Sequence, residues 1–320
     1  MPIYAENIHQ LNDTTMRATL YPNQPFDLAW AVKFIDDSGA VDQLDEINVE
    51  KATLRRPLRV RDVVFITEIG PADDDTAVTL TVQAADDQPA ADETMLNAIA
   101  DRYNRRFFMD VDMDAVKKAL SADDYGKELI KDFWPLRPAN YAGPWEALLK
   151  SLVHAQIFPS FAASLDQTLR EQYGERVVFD GEPLRYWPRP IELAFAIEED
   201  LRAFKFSRQK ADYLVNISRT VLDDPKTYDF DAMREIPGPD AVKQLTTLRG
   251  VGAWTSQNVA MRGLPHTDVF IDEKATRKAI APYYSRNDDM NKREVAAAVE
   301  RFAPYRTFAC YYTYMQHFGV

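Results

Sequence analysis

The chain has 320 residues, 46% hydrophobic and 28% charged, with a formal net charge of −12 at pH 7. That length and apolar content can bury a sizeable core and point to two domains rather than one. A single Cys excludes a disulfide framework within the chain and any all-Cys zinc or iron–sulfur site. The four His stand at no ligand spacing, so a transition-metal site is not expected.

The opening Met1-Pro2-Ile3-Tyr4-Ala5-Glu6 has no basic end followed by an apolar run, and no segment approaches a membrane-spanning length. The expectation is a cytoplasmic protein with no membrane partner. The acidic balance runs against nucleic-acid binding, whose non-specific part comes largely from basic groups meeting phosphates. A net charge is an average, however. Acids cluster at Asp36-Asp37, Asp73-Asp74-Asp75 and Asp86-Asp87, whereas the stretch from Lys205 to Lys278 is rich in Lys and Arg. A local basic face remains compatible with the composition.

The first hundred or so residues read as α+β. Thr14 to Leu20 is extended, and Phe26 to Ile35 has helical spacing through Phe26, Trp30 and Phe34. Ile47 to Leu54, Val60 to Ile69 and Thr76 to Ala84 are rich in Val, Ile and Thr and read as antiparallel strands, with Gly70-Pro71-Ala72 at the tip of the last hairpin. Thr94 to Arg105 is a helix with Leu96, Ile99, Ala100 and Tyr103 on one face. Beyond about residue 110 the strand signals largely give way to helices: Trp145 to Gln156, one opened by Pro159, Ser207 to Leu222, Asp240 to Leu248, Trp254 to Arg262, Glu273 to Ala281, Lys292 to Phe302 and Pro304 to His317. Cys310, set among Phe308, Tyr311 and Tyr312, reads as a buried, reduced thiol.

Leu248-Arg249-Gly250-Val251-Gly252 lies between two of these helices. Two glycines one residue apart permit positive φ and a tight reversal, while Leu248 and Val251 can anchor the turn. The helix that follows, beginning at Trp254-Thr255, presents free N–H groups and the positive end of its dipole, which suits a phosphate. Taken alone, Gly-x-Gly fits an ordinary helix connection better. Farther on, Asp272 closes a short extended piece and starts a helix. Its residue type fits either an N-cap or a carboxylate placed for chemistry. Asp268 and Glu273 share that ambiguity, as a turn residue and a first-turn acid.

Hairpin, intervening helix and acid, in that order, resemble the helix-hairpin-helix DNA glycosylase superfamily, whose motif is L-P-G-V-G-x-x-T followed by a catalytic Asp. Within it the resemblance is to the bacterial 3-methyladenine DNA glycosylase II branch and covers almost the whole chain, through Phe26-Asp27-Leu28-Ala29-Trp30, Tyr173-Gly174-Glu175-Arg176, Trp187-Pro188-Arg189-Pro190 and Arg301 to Ala309. It implies an α+β N-terminal domain over 1–110, an antiparallel sheet with helices like half of a TATA-binding-protein fold. An all-helical glycosylase domain then covers 111–320, with the hairpin at about 240–263.

The activity implied is excision of alkylated purines from duplex DNA, by a monomer in the bacterial cytoplasm associated with the nucleoid. Asp272 would stabilise the sugar cation, with Asp268 as second choice. Trp254 and Tyr314 would line the base pocket, where an aromatic face attracts a cationic base; core packing is their other reading. Asn258 stands where an aromatic pocket residue is expected. Gly250, Gly252 and Thr255 would hold a phosphate, with a sodium or potassium ion on the backbone of Leu248 and Val251. Ile157, with Phe158 beside it, would wedge the duplex, Ile157 reading equally as the last core residue of its helix.

Bifunctional members carry a nucleophilic Lys where this chain has Trp254, so strand cleavage through a lysine is not expected, nor is an iron–sulfur cluster. Arg249 replaces the usual Pro, and Asp272-Glu273, after a shortened loop, replaces an acid pair. The rivals are a glycosylase for deaminated or oxidised bases and a non-catalytic DNA-binding protein that keeps the hairpin.

Overall fold

The computed structural model describes residues 3–37, 44–284 and 290–318. The first third is built on a six-stranded antiparallel sheet of β1 (Glu6–Gln10), β2 (Thr15–Leu20), β3 (Glu46–Asn48), β4 (Thr53–Val60), β5 (Val63–Pro71) and β6 (Val78–Ala84), in the order β1-β2-β6-β5-β4-β3. Two helices accompany it, α1 (Leu28–Asp37) and α2 (Glu93–Phe107). Strand β6 alternates as the sequence predicts, with Val78, Leu80, Val82 and Ala84 buried and Thr79, Thr81 and Gln83 outward. Helix α2 buries Leu96, Ile99, Tyr103 and Phe107, and the Tyr103 hydroxyl pairs with Thr67 of β5 at 2.8 Å. Each such apolar side chain contributes about 1.5–3 kcal/mol.

Three strand boundaries differ from expectation. The stretch 47–54 is not one strand: the Ala52 N–H donates to the Val49 carbonyl and Ala52 has φ 52°, a turn between β3 and β4. Strand β5 begins only after a two-residue turn at Arg61-Asp62, where Val60 pairs with Val63. Gly70 and Pro71 are the end of β5, paired with Thr79 and Val78, rather than a hairpin tip. The reversal comes later, around Asp74, whose carboxylate accepts the Thr76 N–H at 2.8 Å and hydroxyl at 2.7 Å.

The rest is mainly helical: α3 (Met113–Leu120), α4 (Asp124–Phe133), α5 (Pro144–His154), α6 (Pro159–Tyr173), α7 (Pro190–Ala194), α8 (Glu198–Ala203), α9 (Arg208–Asp223), α10 (Phe230–Glu235), α11 (Gly238–Leu245), α12 (Ala253–Arg262), α13 (Lys274–Tyr284), α14 (Lys292–Val299) and α15 (Arg306–Phe318). A hairpin of β7 (Arg176–Phe179) and β8 (Glu182–Arg185) interrupts the helices, a correction to the all-helical expectation. Helix α5 is the central pillar. All but one of its residues from Pro144 to Val153 are buried, against α6, α9 and α12.

The expected boundary near residue 110 falls between α2 and α3, but the buried core runs through it without a break. Charged groups also cross the junction. Arg56 of β4 binds Asp45 at 2.9 Å and Glu146 of α5 at 3.0 Å, and Arg106 of α2 binds Asp45 at 2.6 Å. All four side chains are 5% exposed or less.

Candidate active site

The glycine turn joins α11 to α12 and is anchored as its sequence requires. Leu248 and Val251 are buried, and the Val251 N–H donates to the Leu248 carbonyl at 3.0 Å. Gly250 has φ 92°, and a Cβ there would stand 2.4 Å from the Tyr213 ring of α9. Conformation and close approach therefore both demand glycine. Gly252 caps α12 without a side-chain hydrogen bond, and a Cβ on it would meet nothing within 4 Å. The first turn of α12 also carries no acidic residue. Its N–H groups and the positive end of its dipole are left open to an anion.

Beside this turn is a cavity of about 920 Å³. Gly250, Gly252, Trp254 and Thr255 line it from the hairpin side, Ile157 from the α5–α6 connection and Glu273 from the start of α13. Thr255 is buried, yet reaches this wall. Ile157 is half-buried against the core, whereas Phe158 is 83% exposed. The two wedge candidates thus differ: one borders the cavity, the other projects from the tip of the connection.

The three acids have distinct surroundings. Both oxygens of Asp272 are taken by Arg277, at 2.6 Å to Nε and 2.9 Å to Nη2. Asp268 is held in the same bidentate way by Arg306, at 2.6 and 2.9 Å. Neither borders the cavity, whereas Glu273 does and is its one acidic lining residue among the described residues. Its Oε1 accepts the Tyr314 hydroxyl of α15 at 2.7 Å. Burial, then nearby Cys310 and Glu273, push the Tyr314 phenol well above its ordinary range, so it stays a hydrogen-bond donor. Asp272 is not a helix cap either: the Thr276 hydroxyl accepts the Glu273 N–H at 3.1 Å and donates to the Ile271 carbonyl at 2.8 Å.

Asn258 is not a pocket residue. It is buried inside, and its Nδ2 donates to Ser151 Oγ of α5 at 2.7 Å, tying α12 to the pillar. Cys310 is buried and free, as expected, with burial pushing its thiol up to about 12. The sequence reading passed over the cavity's basic side. His154, Lys205 and Lys210 line it, and Lys210 donates from Nζ to the Val153 carbonyl. Burial lowers the Lys210 amine from the usual lysine range, with Asp166 opposing the shift. A Lys- and Arg-rich stretch was the available signal for the lysines; nothing in the sequence singled out His154.

No protein-family model matches the chain. Its sequence is 29% identical over 169 residues to YfjP of Bacillus subtilis (strain 168), whose own assignment as a DNA-3-methyladenine glycosylase is provisional. That match takes in 52% of this chain and 57% of YfjP. A DNA-3-methyladenine glycosylase of the same organism is 24% identical over 234 residues, covering 73% of this chain and 77% of that protein. The 3-methyladenine DNA-glycosylase of Archaeoglobus fulgidus superposes with a TM-score of 0.73 at 17% identity, over 93% of this chain and 97% of the other. This chain has the helix-hairpin-helix DNA glycosylase fold. The same glycosylase fold is seen in the Clostridium acetobutylicum 8-oxoguanine glycosylase/lyase bound to DNA, with a TM-score of 0.71 at 15% identity over the full length of both chains. The α+β region followed by helices is therefore confirmed as the architecture, and the sequence is similar to proteins named as DNA-3-methyladenine glycosylases.

Proposed function

We propose that the protein is a DNA N-glycosylase that releases damaged bases, alkylated purines first among them, from duplex DNA. The observation that carries this reading is the cavity itself: an open helix N-terminus and glycine turn on one side, a Trp on its wall, and a carboxylate held by a tyrosine. A damaged nucleotide leaves the stack and enters the cavity. The backbone at Gly250, Gly252 and Thr255 holds a phosphate beside it. Ile157 and Phe158 fill the vacated place in the duplex. Trp254 offers its face to a cationic base.

As the C1′–N bond breaks, positive charge grows on the sugar, and a carboxylate at the cavity stabilises charge that exists mainly in the transition state. Of the neighbouring acids, Glu273 fits that role by its position and by its Tyr314 hydrogen bond. Asp272, expected from the sequence to act, fits better as half of an ion pair with Arg277 that fixes the start of α13. Tyr314 serves through Glu273 rather than by stacking on the base. A sodium or potassium ion at the hairpin fits in part, since the Leu248 carbonyl keeps one lone pair after accepting Val251. It would brace the turn against a phosphate.

Trp254 stands where a nucleophilic lysine would be expected and cannot form a Schiff base. Strand cleavage through a lysine is therefore not part of the reading, and the partner is duplex DNA met by one copy of the chain. The test is release of free bases from methylated duplex DNA, with borohydride present in parallel. The expected result is freed methylpurine and no protein–DNA adduct. A trapped adduct would overturn the monofunctional reading, and absence of any freed base across alkylated, deaminated and oxidised duplexes would overturn the enzyme reading.

A further inference from the structure

His154 ends α5 on the cavity wall, with its side chain 31% exposed. Its Nε2 lies 2.7 Å from Oδ2 of Asp166 on α6, a side chain only 3% exposed. The same oxygen accepts the buried Lys150 ammonium at 3.3 Å, while Asp166 Oδ1 is buried with no hydrogen-bond partner. A carboxylate accepts, so the ring donates its Nε2–H there, and Nδ1 makes no hydrogen bond among the described residues. An imidazole oriented by a buried carboxylate, with its second nitrogen uncommitted at a cavity, is arranged to carry a proton. The charged groups around it are Lys150 on its own helix, Asp166 on α6, Lys210 on α9, Lys205 just before α9, and Glu273, which also lines the cavity.

We propose that His154 is a specificity-determining catalytic residue, which hands a proton to a departing neutral base and so extends release from cationic alkylated purines to neutral damaged purines. The proposal rests on the glycosylase reading above. Its chemistry follows from the leaving group. A purine alkylated at a ring nitrogen already carries positive charge, so it departs as a neutral molecule when it takes the electron pair of the C1′–N bond. A neutral purine would depart as an anion and needs a proton. In the step proposed, the C1′–N pair goes to the base while the Nδ1 proton of the His154 imidazolium moves to a base nitrogen. Water then bonds through oxygen to C1′ and gives one proton to solvent, from which the imidazole regains its own. One water is consumed, and one free base and one abasic sugar result. Asp166 orients the ring through Nε2, and Lys150 keeps that carboxylate in place.

Two duplexes separate this role from a structural one, one bearing a single 7-methylguanine and the other a single hypoxanthine. Release from each is followed for the wild-type chain and for His154→Gln between about pH 5.5 and about pH 8.5, the range in which a histidine changes charge. Wild-type release of hypoxanthine should fall as pH rises. His154→Gln should lower it about a hundredfold and flatten its pH profile, the scale of a lost general acid. Release of 7-methylguanine should be little changed, which also shows that the variant is folded. Equal losses on both duplexes would mean that His154 only supports the wall, and unchanged hypoxanthine release would mean that it carries no proton; either overturns the proposal. So would a wild-type protein that releases 7-methylguanine but never hypoxanthine. Release of neither base by the wild type would instead overturn the glycosylase reading on which the proposal stands.

Discussion

Two groups of charges lie at opposite ends of α5, about 16 Å apart for a helix of this length. At its N-terminal end Arg56, Asp45, Arg106 and Glu146 form a buried set of two cations and two anions. At its C-terminal end Lys205 and Lys210 line the cavity with His154 and Glu273, while the nearby Asp166 is held by His154 and Lys150. The first set is balanced, dry and turned inward, and it ties the sheet to α2 and α5. The second has two lysines and one glutamate on the wall of a cavity beside a glycine turn. The contrast explains how a chain with a net charge of −12 can still suit a polyanion. Net charge governs the far field, whereas a partner at the cavity meets the local excess.

The comparison breaks first if the buried set is dispensable. Arg56→Met should leave Asp45 short of one partner and Glu146 without its arginine, and cost about 3–5 kcal/mol of stability, as for other broken buried pairs. Thermal unfolding would read this as a large fall in Tm, while base release per folded molecule at low temperature stays near wild type. An unaltered Tm would show that packing alone joins the two halves. At the open end the opposite pattern is expected. Glu273→Gln should lower base release about a hundred- to a thousandfold, the scale of a lost transition-state electrostatic contact, with Tm and DNA affinity little changed. Asp272→Asn should act the other way round, loosening the start of α13 and lowering Tm more than it lowers the rate constant on bound DNA. If Asp272→Asn alone abolished release, the sequence-based choice of acid would stand and Glu273 would be a bystander.

Much of the fold was legible in the sequence, for identifiable reasons. Regular alternation marked β6, and the Leu96–Ile99–Tyr103 stripe marked α2. Strand β1 was missed because Glu6, Asn7, His9 and Gln10 show no apolar period on an edge strand, and β7 and β8 because four residues each carry little pattern. The glycine turn was legible from glycine spacing, whereas Trp254 and Ile157, which line the cavity, were offered only by the resemblance. The choice between Asp272 and Glu273 was not legible. Adjacent residues at a helix start point about 100° apart, and which one faces the cavity depends on Arg277 and Tyr314, which lie elsewhere in the chain. Asn258 was misread for a related reason: its tie to Ser151 on another helix leaves no trace at its own position.

Smaller effects sharpen the same contrast at the hairpin and the cavity wall. Gly250→Ala forces a side chain into positive φ and against Tyr213, and should cost about 1–3 kcal/mol, with a matching loss of DNA affinity if the turn holds a phosphate. The finest discrimination concerns Lys210. Its ammonium is engaged with the Val153 carbonyl and partly desolvated, so it serves either as a strap between α9 and α5 or as a phosphate contact that exchanges that carbonyl for DNA. The salt dependence of binding separates the two. A lysine that neutralises one phosphate contributes about 0.9 to the slope of log K against log salt concentration. Lys210→Met should reduce the slope by about that amount, with little change in release from saturated complexes. An unchanged slope with a lower Tm would assign Lys210 to the inward-facing, structural class, leaving Lys205 as the lysine that the cavity turns toward its partner.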